Sequence, residues 1–263
     1  MLGVATLLAA AALGVPSPLI FPVLGPVTYT NDFGQPRPGG PHQGNDLIAP
    51  RKAIAVAAEG GTVKFWTTSK NAGCLLYLYG ESGTTYIYIH LNNDLGSGND
   101  NKGSCVAGVA FASGLHDGDY VGAGEPVGFV GDSGDANGIH PHLHFEVHPR
   151  GGKAVSPYRY LQTAEHVLFS ATAGTTFTLA LTGTVLDAAE GTVTLATTLV
   201  RQWPAHERVA GAGPVTVSAP PELAAPAPGQ RVTIWTAPAP ANLDAELGFG
   251  LTAAKIAVLA SAR

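Results

Sequence analysis

The sequence predicts an all-β protein: a larger antiparallel β region followed by a smaller one. Three observations carry that expectation. The chain of 263 residues holds 34 Gly and 20 Pro, which favours short strands and turns over long helices. Several stretches alternate apolar and polar residues with period two, the signature of half-buried strands. Those stretches are separated by turn residues, such as Glu59-Gly60-Gly61 and Gly80-Glu81-Ser82-Gly83.

Taken in order, Met1 to Val15 is apolar, Ala-rich and uncharged. It is short for a membrane span, which needs about 20 apolar residues, and its length suits the core of a secretory signal peptide. The basic residue that usually precedes such a core is missing, the first being Arg37. Residues 1–20 are therefore read as a signal peptide or apolar leader, with a short buried helix as the alternative. Once a leader is removed, no stable membrane span is expected, and the protein is expected to be exported: secreted, periplasmic or wall-associated. Pro/Gly-rich chain follows, extended or looped.

The segments AIAVAAEGGTVKFW, CLLYLYG and TTYIYIHL then read as strands, the last two forming a hairpin. Residues 92–118, rich in Asn, Asp, Gly and Ser, read as a long loop. Strand texture returns through HPHLHFEVHP. A boundary is expected near 160–173, dividing a first domain at 21–165 from a small β domain at 170–263. In the second, Phe177, Leu179 and Leu181 alternate with Thr178 and Thr182, and RVTIW adds a later strand; a barrel or sandwich would suit the pattern. No convergent polar cluster marks its role.

The net charge is −5 and no Lys/Arg cluster occurs, which argues against nucleic acid as a partner. Cys74 and Cys105 are consistent with one disulfide in an exported protein, or with two unlinked buried thiols.

The chemistry gathers in three pieces. In Pro141-His142-Leu143-His144-Phe145-Glu146-Val147-His148, the three histidines and Glu146 share one parity and the apolar trio the other. A strand would put His142 and His144 side by side on one face. His42 and Asp46 are four apart in Pro/Gly-rich chain, where an extended conformation keeps them on one side. In Tyr86-Ile87-Tyr88-Ile89-His90-Leu91, His90 has the parity of the two tyrosines, which could line a groove or be plain strand residues. A catalytic zinc takes three His or carboxylate ligands and leaves a position open. His42, Asp46 and His144 supply such a set, for one Zn2+ per chain. His142, beside His144, suits a general base, and His90 could donate a hydrogen bond to a tetrahedral oxyanion.

HxxxD (His42, Asp46), YxHL (Tyr88 to Leu91) and PHLHFEV (Pro141 to Val147) resemble, in order and spacing, the motifs of the lysostaphin/LytM zinc metallopeptidases. The resemblance covers roughly residues 21–162. It implies an antiparallel β-sheet with an active-site groove, and cleavage of peptide cross-bridges in peptidoglycan. It also implies His42, Asp46 and His144 as zinc ligands, with His142 and His90 as the catalytic pair. Some relatives of this kind are non-catalytic regulators or binding modules that have lost such residues; here all five positions are filled. The loop from Asn92 to Asp119 is long for the pattern and is expected to border the groove and shape substrate choice. His140 and His148 are read as rim or surface residues. Asp94, Asp100, Asp117 and Asp119 lack calcium-ligand spacing and are read as a solvated loop.

Overall fold

The computed structural model describes residues 19–172 and 174–259. The proposed leader lies almost wholly outside the described residues. The chain divides into two compact units. The first holds the described residues up to Val23 together with Val27–Glu165; the second holds Leu24–Pro26 and the chain from His166 onward.

The first unit contains β1 (Pro36–Arg37), β2 (Gly40–Pro41), β3 (Asn45–Ile48), β4 (Ile54–Val56) and β5 (Gly61–Ser69). It continues with β6 (Gly73–Gly80), β7 (Thr85–Leu91), β8 (Tyr120–Val121), β9 (Pro126–Phe129) and β10 (His142–His148). A six-stranded antiparallel sheet has the order β3-β10-β7-β6-β5-β8. One face of that sheet is core. Leu143, Phe145 and Val147 of β10 are wholly buried, as the alternation in HLHFEVH requires, and they meet Leu47, Leu76, Leu78, Tyr86 and Tyr88. Each such side chain contributes about 1.5–3 kcal/mol when fully buried. The two-stranded sheet of β4 and β9 supplies Ala55 and Val127 to the same core.

Tyr86 and Tyr88 belong to this core and do not line the groove. Burial of their hydroxyls is tolerated because both are hydrogen-bonded. Tyr88 Oη donates to the Val56 carbonyl (3.0 Å) and accepts from Ala58 N–H (2.9 Å), and Tyr86 Oη donates to Glu59 (3.1 Å).

The Cys74–Cys105 pair is a disulfide, with its Cα atoms 5.2 Å apart. It ties the 92–119 loop to β6. Closing a loop of 31 residues is worth about 3–4 kcal/mol in the chain-entropy account. Asp94, expected in a solvated loop, is buried instead. It pairs with Arg51 and accepts the backbone N–H groups of Asp100 and Asn101, both at 2.7 Å.

The second unit contains β11 (Thr176–Ala189), β12 (Thr192–Trp203), β13 (Arg208–Ser218), β14 (Arg231–Thr236), β15 (Ala239–Pro240) and β16 (Ala253–Val258). Its antiparallel sheet runs β13-β12-β11-β14-β16, with β15 beside β11. Phe177, Leu179 and Leu181 point into its core, with Val193, Leu195 and Ile234. No helix among the described residues is long and apolar enough to cross a membrane.

Candidate metal centre

The groove lies over the polar face of the six-stranded sheet. His42 sits in the loop between β2 and β3, Asp46 on β3, and His144 on β10. Asp46 and His144 are directly paired in register, so their side chains leave the sheet on the same side. Gly44 makes the approach of the His42 loop possible. A Cβ there would collide with the Phe145 carbonyl oxygen and stand 2.9 Å from His144 Nε2.

Three donor atoms converge: His42 Nε2 lies 3.0 Å from Asp46 Oδ1 and 2.8 Å from His144 Nδ1, and His144 Nδ1 lies 3.1 Å from Asp46 Oδ1. Ligands bound tetrahedrally at about 2.0–2.1 Å stand roughly 3.3 Å apart, so this triangle is close to the size zinc takes. The outward atoms of all three are committed elsewhere. His42 Nδ1 donates to the Asp32 carbonyl (3.0 Å), His144 Nε2 donates to Glu146 Oε1 (3.0 Å), and Arg37 holds Asp46 Oδ2 (2.8 Å). In a neutral imidazole with one nitrogen donating, the other carries a lone pair, so both inward nitrogens are acceptors suited to a metal. Two such nitrogens and one carboxylate oxygen are a fitting donor set for zinc. Among the described residues, no other group of His, Cys, Asp or Glu is gathered closely enough to hold a metal ion.

The charges follow from these contacts. Burial works against the Asp46 carboxylate, but the His144 and His42 imidazoles packed against Oδ1 more than offset it and hold its pKa far below the usual range. Burial lowers the pKa of His144, yet the bonds to Asp46 and Glu146 outweigh it and raise the value to about 9 in the metal-free side-chain arrangement. Glu146, opposed by burial but bonded to His144 and His148, falls to about 2.

His148 is no free rim residue. Its Nε2 donates to Glu146 Oε2 (2.6 Å) and its Nδ1 faces the Gly152 carbonyl (2.9 Å). His140 is exposed, as expected, but its carbonyl accepts from His142 Nδ1 (3.1 Å). That bond leaves the lone pair on His142 Nε2, which lies 3.8 Å from Asp46 Oδ1. Burial, first of all, lowers the His142 pKa.

His90 reaches the groove by a route its sequence parity does not show. Tyr86 and Tyr88 face the core, and strict alternation would send His90 there too. The register of β6 against β7 slips between Cys74 and Leu76, and His90 takes φ of +61°. This left-handed bulge turns His90 out and returns Leu91 to the core. The conformation costs about 1–2 kcal/mol for a residue with a side chain. It is held by His90 N–H to the Ala72 carbonyl (3.2 Å) and His90 Nδ1 to the Ser133 carbonyl (2.8 Å). Ser133 is itself fixed, its Oγ accepting from Cys74 N–H (2.9 Å), next to Asp132, which Arg51 clamps at 2.6 and 2.8 Å. Burial, then the nearby His142, lowers the His90 pKa to about 4, so the ring is neutral. The His90 and His142 rings are 5.1 Å apart.

The groove measures about 610 Å³. Its walls come from residues 37–43, Asn71 and Ala72, and the segment from Asp135 to Ile139. Among the described residues, none of its lining comes from the 92–119 loop, which corrects the expectation that this loop borders it. The loop lies behind the wall instead, where Asn99 and Asn101 hydrogen-bond to Asn137 (2.8 and 3.1 Å).

Residues 40–157, which span all five histidine and aspartate positions, match the model of peptidase family M23. The match covers somewhat under half of the chain, all of it within the first unit. The matched region is also similar to solved structures. One is a candidate glycyl-glycine endopeptidase lytM from Ruminococcus gnavus, with 21% identity over 57% of this chain and 63% of that one, at a TM-score of 0.43. Another is the catalytic domain of lysostaphin from Staphylococcus simulans, with 23% identity over 53% and 89%, at 0.37. A zinc-containing peptidase from Vibrio cholerae has 25% identity over 51% and 37%, also at 0.37.

Asp32, Arg37, Glu146 and Ser133 were not singled out by the sequence reading. Glu146 could have been, since it shares the parity of His144 in HLHFEVH.

Proposed function

We propose that the first unit is a zinc metalloendopeptidase that hydrolyses peptide bonds in peptidoglycan cross-links, and that it works outside the cytoplasm. The observation that carries this reading is the convergence of His42 Nε2, Asp46 Oδ1 and His144 Nδ1 within 3.1 Å of one another, beside two further imidazoles in one groove. In this reading those three residues hold one zinc per chain. When bound, zinc would supply Lewis acidity, lowering the pKa of a water and polarising the scissile carbonyl.

The chain's own residues do the rest. His142, with its Nδ1 proton tied to the His140 carbonyl, takes a proton from the attacking water at Nε2 and returns it to the leaving amine. His90 is anchored the same way through Nδ1, so its neutral ring presents an acceptor at Nε2. That tautomer suits orienting the attacking water better than donating to an oxyanion, the role read from the sequence. Asp32, Glu146 and Arg37 keep the three ligands turned inward.

Digestion of purified peptidoglycan, with mass spectrometry of the released muropeptides, tests the reading. New amine termini at a peptide bond are expected. A zinc-loaded protein that releases nothing would replace hydrolysis with a binding role.

A further inference from the structure

Beside the metal centre the sheet face continues as an open shelf of about 330 Å³, lined by Trp66, Thr68, Ser69, Leu75, Tyr77 and Ile87. It shares Ala72, Ile89 and Glu146 with the groove, so the two form one surface. Register places the shelf relative to the reacting bond. His144 pairs with Ile89 across β10 and β7, and Leu75 pairs with Trp66 across β6 and β5. Trp66 is therefore three strand spacings from β10, or about 14 Å. An extended peptide crossing the strands covers that distance in about four residues.

The chemistry of the shelf is neutral and amphipathic. The Trp66 side of the shelf is open, with that residue 47% exposed. The Trp66 and Tyr77 rings stand 6.0 Å apart at 54°, forming a shallow aromatic V rimmed by the hydroxyls of Thr68, Ser69 and Tyr77. The one carboxylate in the lining, Glu146, is engaged by His144 and His148. A charged peptide side chain would find no counter-charge here. An apolar peptide side chain is the competing occupant, but it would make no use of the hydroxyls at the rim. A sugar ring has a flat C–H face to lay on an indole and hydroxyls at its edge to meet the rim.

We propose that the shelf is a subsite for a sugar ring of the glycan that carries the substrate peptide, stacked on Trp66. The proposal rests on the peptidoglycan reading above: stem peptides there hang from sugar rings and are only a few residues long, which matches the reach to Trp66.

Two measurements on the full chain test it. In calorimetric titration with the N-acetylglucosamine tetramer, binding is expected to weaken about tenfold or more in Trp66→Ala and to be largely restored in Trp66→Tyr. In hydrolysis, the ratio of kcat/KM for disaccharide-bearing muropeptides to that for the same peptides stripped of sugar is expected to fall about tenfold in Trp66→Ala. No tetramer binding by the wild type, or binding indifferent to Trp66→Ala, overturns the subsite. Equal falls on both substrates overturn it too, because Trp66 would then be reading peptide. If the wild type cuts neither substrate while tetramer binding still depends on Trp66, the hydrolytic reading fails and the sugar subsite stands.

Discussion

Both units contain a strand whose alternation slips, and the two slips have opposite consequences. In β12 the buried positions change parity, from Val193 and Leu195 to Val200 and Gln202, across a register shift beside Thr198. The displaced residue is an exposed threonine whose hydroxyl caps the Thr182 carbonyl (3.2 Å). In β7 the core passes from Tyr86 and Tyr88 to Leu91, and the displaced residue is His90, held at positive φ over the groove. One bulge adjusts the sheet; the other re-aims an imidazole. Around the second, the first unit gathers departures from local rules: a glycine forced by close approach, a buried Arg51–Asp94–Asp132 cluster, and three candidate ligands each oriented by a further residue. Such departures tend to concentrate where a fold is bent to a function.

The sharpest way to test that contrast is to remove a proposed ligand. His144→Ala is expected to abolish stoichiometric zinc binding by elemental analysis, with the second unit unaffected because it holds no comparable group among the described residues. Full zinc content in that variant would show that the convergent triangle is not the metal site. Next in size, His142→Ala is expected to keep its zinc and lose about 10²–10⁴-fold in kcat, the usual worth of a general base. Loss of zinc together with activity would make His142 a ligand. Smaller again, Glu146→Gln should leave the fold intact but weaken zinc affinity about 10–100-fold, measured by competition with a chelator. The carboxamide can still accept from His144 but no longer holds it as an ion partner; an unchanged affinity would mean that the Glu146 charge does not act on the metal through His144.

These effects also mark what could be seen in the sequence. Residues that act through strand parity were legible: HLHFEVH announces both its core trio and its polar face before any coordinates. His90 was visible as a histidine in a recurring motif, but not as a groove residue, since period two pointed it at the core and only the bulge reverses that. Asp32 and Ser133 were invisible for another reason. Each offers a backbone carbonyl to an imidazole, and a carbonyl is common to every residue type. The 92–119 loop misled because length and polarity say that a segment is at the surface, not which surface. The disulfide from Cys105 and the buried Asp94 draw it behind the groove wall.

The smallest expected effect belongs to the second unit and shows what a local-rule violation does where, among the described residues, no group of possible metal ligands surrounds it. Glu207 lies between β12 and β13, and its Oε2 is buried without a hydrogen-bond partner among the described residues. Burial raises its pKa to about 7. A folded-state value above the unfolded one means that folding favours the protonated form. Its contribution is therefore fully present below the ordinary glutamate range near 4.5 and is lost as pH rises through about 7. A rigid site would lose roughly 3 kcal/mol over that window, but a hairpin end can turn its carboxylate to water on ionising, so about 1 kcal/mol is expected. Glu207→Gln should flatten that stretch of the stability–pH curve, read by denaturant unfolding of the full chain between those two values. A wild-type curve with no fall there would mean that Glu207 is solvated in the folded state. The same variant should leave zinc affinity untouched, because the strain at Glu207, unlike that at His90, is not coupled to any group of ligands.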